Sequence, residues 1–134
     1  MTPPATSLDQ LVEAAWAARD AAVCTYSGFA VGAALRDEHG QVWTGANVEN
    51  ASYTLGLCAE RVAIFWALTH GGRGFTHVVV ATDTPTPTSP CGACRQILWE
   101  FGGNLEVVLA NLKAEESRHR LKNLLPLPFD ARLL

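Results

Sequence analysis

The chain lacks any apolar run approaching the ~20 residues that a helix needs to cross a bilayer, so no membrane-spanning segment is expected. It also carries little charge: 17% of its residues are charged, and ten Lys plus Arg stand against thirteen Asp plus Glu, for a formal net charge of −3. A nucleic-acid polymer is gripped through a basic surface. Here only residues 113–122 gather positive charge, and Glu115 and Glu116 interrupt them. No nucleic-acid polymer is therefore expected as a partner, and the balance favours a small, uncharged ligand. Residues 1–7 have neither the basic start nor the apolar core of a secretory signal, so the expected location is cytoplasmic. The sequence has no internal repeat and no linker long enough to divide it. Its 134 residues read as one domain, 1–134, with residues 1–6 a flexible N-terminus.

Cysteine and histidine are scarce too, with four of each. His39, His70, His77 and His119 fall at expected turns, helix ends or strand edges, without ligand-like spacing. Four cysteines in a small secreted chain could form two disulfides, but in a reducing compartment a Cys-x-x-Cys is more often a metal or redox site. Three of them lie in two short motifs, Cys58-Ala59-Glu60-Arg61 and Pro90-Cys91-Gly92-Ala93-Cys94. Structural zinc sites are closed by four protein ligands, whereas catalytic ones keep a position open for solvent. Three thiols with a carboxylate two residues from the first therefore suggest a zinc site, one ion per chain, built for chemistry. Plainer readings stand beside it: a structural zinc site completed by Cys24 or a histidine, a redox pair, or inert buried thiols. A thioredoxin-like pair follows a first strand near the N-terminus, and this one sits far down the chain. Cys24 reads as a packed thiol.

Periodicity supplies the frame. Ser7-Leu8-Asp9-Gln10 is a capping-box pattern, and Leu8, Leu11, Val12, Ala15, Trp16 and Val23 recur at helical spacing. Residues 31–35 and 41–46 read as strands joined by a turn at 37–40, and 57–69 as a helix stopped by Gly71-Gly72. Residues 77–81 form a buried strand, 82–90 a Thr/Pro loop, 91–101 a helix, 105–110 a strand and 118–121 a weaker one. The order α-β-β-α-β-α-β-β-α implies one layered α/β domain with a mixed sheet. Trp16, Trp43, Trp66 and Trp99 are assigned by default to core packing.

Both cysteine motifs open expected helices, whose N-termini carry partial positive charge and free N–H donors that favour thiolates. Three thiolates around Zn²⁺ leave a net negative site, so a cation is needed to draw charge from sulfur; Arg61 and Arg95 are the candidates. Glu60 leaves the helix start in a different direction from Cys58. It can stand beside the metal as a proton carrier without being a ligand, given a pKa near the working range.

The spacing of Cys-x-Glu and Pro-Cys-x-x-Cys is the one described for zinc deaminases, and the resemblance is wider. The motifs Tyr26-Ser27-Gly28-Phe29-Ala30-Val31-Gly32-Ala33-Ala34, Asn47-Val48-Glu49-Asn50-Ala51-Ser52-Tyr53, Cys58-Ala59-Glu60-Arg61, Pro90-Cys91-Gly92-Ala93-Cys94-Arg95-Gln96 and Leu124-Leu125-Pro126-Leu127-Pro128-Phe129 follow the order seen in small cytidine deaminases. The chain resembles the short, all-cysteine, homotetrameric form over residues 8–129. That resemblance implies a three-layer α/β/α fold on a five-stranded mixed sheet, and hydrolytic deamination of cytidine and 2′-deoxycytidine in pyrimidine salvage. Zinc-dependent deamination of another nucleoside or a nucleoside antibiotic, or a non-catalytic zinc-binding module, are the alternatives. The resemblance assigns zinc to Cys58, Cys91 and Cys94, proton transfer to Glu60, and donation to the cysteine sulfurs to Arg61. Asn47 and Glu49 are assigned to the ribose, Phe29 to a wall of the base pocket, and Ala59 to the base through its backbone. Phe129, Ala51 and Tyr53 are assigned to the active site of an adjacent subunit. The segment 112–119 lacks the glycine turn usual there, which leaves the last hairpin open.

Overall fold

The computed structural model describes residues 6–113 and 115–134. The element order is α1 (Leu8–Arg19), β1 (Val31–Arg36), β2 (Val42–Ala46), α2 (Ala59–Thr69), β3 (His77–Thr82), α3 (Gly92–Gly102), β4 (Glu106–Asn111), β5 (Glu116–Arg120) and α4 (Leu121–Leu124). Short 3-10 turns lie at Tyr53–Leu55 and Ala131–Leu133. The five strands form one sheet in the order β2-β1-β3-β4-β5. Only β3 and β4 pair in parallel, across the crossover made by α3; the other neighbours are antiparallel. The sheet is thus mixed, as expected.

Two-residue alternation along the strands builds the layers. Ala33, Leu35, Val78, Val80, Val107 and Leu109 point to one face and pack with Ala63, Ile64 and Ala67 of α2 and Leu98 of α3. Ala34, Val79, Ala81 and Val108 point to the other and pack with Leu11 and Ala15 of α1. Both faces are covered, which is why β3 and β4 read as unbroken apolar runs. Two strand glycines set the spacing. A Cβ on Gly32 would clash with the Ala15 carbonyl oxygen of α1, and one on Gly45 would stand 2.5 Å from the Ala63 nitrogen of α2. These close approaches seat both helices, and the second fixes the helix that begins at Cys58.

The capping box forms as expected: Gln10 N donates to Ser7 Oγ and Ser7 N to Gln10 Oε1. Thr6 is held by Gly40 and Arg36, while residues 1–5 of the expected flexible N-terminus lie outside the described residues. The helical spacing of Val23 misleads. α1 ends at Arg19, and Val23 bonds instead to the strand-like segment after β2, with Val23 N on Asn47 O and Glu49 N on Val23 O. The last hairpin closes around the buried side chain of Asn111, whose Oδ1 accepts from Lys113 N and Glu115 N and whose Nδ2 donates to Pro85 O and Glu115. An asparagine side chain thus replaces the missing glycine turn. Trp16, Trp43 and Trp99 pack partly buried against the core. Trp66 departs from expectation: it is 55% exposed and stacks on His70, four residues on at the C-cap of α2.

His77 begins β3 between Arg36 on β1 and Glu106 on β4; its Nδ1 lies 3.0 Å from Arg36 Nη2 and its Nε2 2.9 Å from Glu106. Burial, then the charge of Arg36, holds its pKa below the usual imidazole value, with Arg120 adding to this and Glu106 opposing it. With the folded pKa depressed, the unfolded chain takes up the proton first. Stability tied to His77 is whole above ~6.5 and is lost as pH falls through the lower folded value. Thermal melts between about pH 7 and about pH 5 should show a decline that His77→Gln makes shallower. Equal slopes for the two proteins would contradict this.

Candidate active site

Cys58 and Cys91 are the N-cap residues of α2 and α3, with extended backbones (φ −71°, ψ 155° and φ −66°, ψ 168°). Their carbonyls start the helices, accepting from Arg61 N and Val62 N in one case and from Arg95 N in the other. Neither thiol makes a capping bond, so both sulfurs are free to converge. Cys94 joins them from the first turn of α3. The three sulfurs lie within 4.8 Å of one another, and Cys58 and Cys91 are 3.7 Å apart. Among the described residues this is the one group of three or more potential ligand residues so arranged. Cys24 stays outside it.

The environment favours charge on one sulfur first. Hydrogen bonding from Cys94, aided by Arg61 and Cys91, lowers the Cys58 pKa to about 5 against the effect of burial. Cys94, fully buried, is pushed the other way by its hydrogen bond to Cys58 and by burial. Arg61 reaches Cys58 Sγ at 3.5 Å through Nη2. Its Nε is buried with no hydrogen-bond partner among the described residues. Arg95, the other cationic candidate, turns away to Pro90 O, Leu124 O and Ser89 Oγ.

Glu60, in the first turn of α2, is 3% exposed. Burial, reinforced by the charge of Cys58, raises its carboxyl from 4.5 to about 7. It lies on a cavity of about 210 Å³ with Phe29, Asn47, Cys58, Ala59 and Cys91. A larger cavity, about 490 Å³, is lined by Tyr26, Asn47, Glu49, Tyr53, Cys58 and Arg61 among others. Asn47 and Cys58 line both, so the two adjoin. The sheet-like alternation around Val48 brings Asn47 and Glu49 to the same side. Asn47 also braces the neighbouring loop, accepting from Val31 N and donating to Phe29 O, each at 2.8 Å. Glu49 accepts from Ser27 N and Oγ.

Two expected residues do not join this group within the chain. Ala51 is exposed and lines neither cavity. Phe129 is 58% exposed and lines neither.

Residues 5–110 match the family model described as the cytidine and deoxycytidylate deaminase zinc-binding region. The chain belongs to this family. It is 43% identical over 120 residues to a cytidine deaminase of Sporosarcina psychrophila, covering 89% of this chain and 88% of that one. It is 44% identical over 122 residues to that of Halalkalibacterium halodurans, covering 90% and 92%. The crystal structure of cytidine deaminase from Burkholderia pseudomallei superimposes with a TM-score of 0.90 at 47% identity, covering 92% of this chain and all of the other.

The residues present fit the zinc of this deaminase family. Three thiols converge at two helix N-termini, a guanidinium donates to one of them, and among the described residues that guanidinium's buried Nε–H has no partner. Cys58, Cys91 and Cys94 are positioned to hold one metal ion. The smaller cavity is also lined by Val80 and Thr82, which the sequence reading missed, and by Thr88 and Ser89 of the expected Thr/Pro loop. The only signal for the last two was their place just ahead of Pro90-Cys91. The sequence reading also missed Ser27, whose bonds to Glu49 join positions 22 residues apart.

Proposed function

We propose that the protein hydrolyses cytidine and 2′-deoxycytidine to uridine and 2′-deoxyuridine with release of ammonia. The observation that carries this reading is a buried carboxyl, Glu60, beside three converging thiols suited to zinc, on a cavity that adjoins the one lined by Asn47 and Glu49. When bound, zinc supplies Lewis-acid activation of water. The rest falls to the chain's own residues. Glu60 takes a proton from the attacking water and delivers it to N3 as the oxygen bonds to C4. It then takes the proton of the resulting C4 hydroxyl and passes it to the amino group, and the C4–N bond breaks. The ring keeps N3–H and C4=O, ammonia departs, and Glu60 ends as it began. A carboxyl with a pKa of about 7 can both accept and give near neutral pH.

Asn47 and Glu49 hold the ribose, chiefly its 3′-hydroxyl, which selects a nucleoside over a residue inside a polymer. Phe29 walls the pyrimidine and backbone groups of Ala59 meet it. Arg61 draws charge from the sulfurs. Phe129, exposed in its own chain, completes the pocket of a neighbour in a homotetramer, with Ala51 reaching across to an adjacent site and Tyr53, exposed at the rim of its own chain's larger cavity, reaching across as well. The site then serves pyrimidine salvage in the cytoplasm. No helix among the described residues is long and apolar enough to cross a membrane.

Ammonia release on addition of cytidine tests the activity, and its absence from metal-loaded protein would refute it. Sedimentation of Phe129→Ala alongside its kinetics tests the shared site. A raised KM is expected, on the order of tenfold for a lost base-stacking contact. A stable monomer with unaltered kinetics would contradict it.

A further inference from the structure

The C-terminal segment is strapped to the helix that carries two of the three thiols. From α3, Arg95 Nη1 donates to Leu124 O at 2.7 Å, Gln96 Nε2 to Phe129 O at 2.6 Å, and Trp99 Nε1 to Asp130 Oδ2 at 2.9 Å. Between the first two anchors the chain bows outward. Leu127 is 99% exposed and lies at φ 49°, a conformation unfavourable to a residue with a Cβ and kept only where the surroundings over-determine it. Asp130 is locked in turn. It accepts from Arg132 N at 3.0 Å and pairs with the Arg132 guanidinium at 2.7 Å. Hydrogen bonds from Arg132 and then Trp99 hold its carboxyl well below the usual carboxylate range, so the acceptor stays ionised across neutral pH.

Phe129 sits in the middle of this clasp with its ring exposed. An unrestrained aromatic on a chain end would fold back onto apolar surface. Here the carbonyl of Phe129 and the next side chain are both fixed to α3. We propose that Trp99 and Asp130 are positioning residues for Phe129: their hydrogen bond, with that of Gln96, sets the direction in which the ring leaves the chain toward a pyrimidine held by another copy. This rests on the reading that Phe129 walls a neighbour's base. It adds that the wall and two of the three thiols are tied to one helix, α3.

Trp99→Phe keeps an aromatic ring against the core and deletes the N–H donor; Asp130→Ala removes the acceptor without touching the core. Each should raise KM for cytidine about fivefold with kcat within about twofold, as expected when a charge-assisted bond that orients a binding group is lost. Metal content should not change. In a Phe129→Ala background, Trp99→Phe should alter KM by less than about 1.5-fold, because the group it acts through is gone. Deuterium exchange in residues 125–134 should quicken in both single variants. An unchanged KM in both, or an equal rise with and without Phe129, overturns the proposal. If the unaltered protein releases no ammonia from cytidine, the substrate reading fails by itself. The exchange measurement then decides the clasp: faster exchange in the variants upholds it and unchanged exchange overturns it.

Discussion

Glu60→Gln should reduce cytidine turnover by about 10²–10⁴-fold, the usual contribution of a positioned general acid–base, while the protein keeps one metal ion per chain. Gln has the same shape but cannot carry a proton between water, N3 and the leaving amine. It is also not one of the three sulfur ligands, so metal retention separates loss of chemistry from loss of the site. A second readout runs the other way. The Glu60 carboxyl is raised from 4.5 to about 7 by burial, so the stability it contributes to the metal-free fold is whole below 4.5 and is lost as pH rises through about 7. A neutral Gln escapes that loss. Metal-free Glu60→Gln should therefore be the more stable protein at about pH 8, by on the order of 3 kcal/mol from the size of the shift. Activity down and stability up is the signature of a group kept for its chemistry. Full turnover by Glu60→Gln would remove Glu60 from the mechanism.

Cys94→Ser should abolish metal retention and activity together. Cys94 is fully buried and its sulfur meets those of Cys58 and Cys91 within 4.8 Å. Serine preserves volume but not the thiolate that zinc requires, and two remaining thiolates leave the site short of the three protein ligands of a catalytic zinc. Metal content should fall to roughly a tenth or less after dialysis, and the stabilisation that metal binding gives the folded state should vanish with it. The secondary structure should survive, because α2 and α3 are seated by Ile64, Ala67 and Leu98 against the sheet rather than by the thiols alone. Cys24→Ser should leave metal content untouched. If Cys24→Ser loses metal and Cys94→Ser keeps it, the ligand set is wrong.

What the sequence made legible was local. Cys58, Glu60, Cys91 and Cys94 could be read together because each motif is four or five residues long and falls at a helix start, with Cys58 and Cys91 as N-caps whose sulfurs make no capping bond. The layers were legible because alternating and helical periods differ. Long-range pairing was not. Val23 carries a helical spacing, yet its backbone is taken by Asn47 and Glu49. Asn111 gives no hint in sequence that its buried side chain will replace a glycine turn and tie down Pro85. Trp99 looks like any core aromatic until Asp130, 31 residues on, takes its N–H. The roles of Phe129 and Ala51 came chiefly from resemblance, and they need a second subunit, which one chain's pattern of burial does not encode.

On this reading three cysteines hold a zinc ion and leave one coordination position for solvent. X-ray absorption at the zinc edge on the loaded protein tests it most directly. Three sulfur neighbours and one oxygen or nitrogen neighbour that exchanges when a cytidine analogue is added is the predicted result. Four sulfur neighbours, unchanged by the analogue, would contradict it.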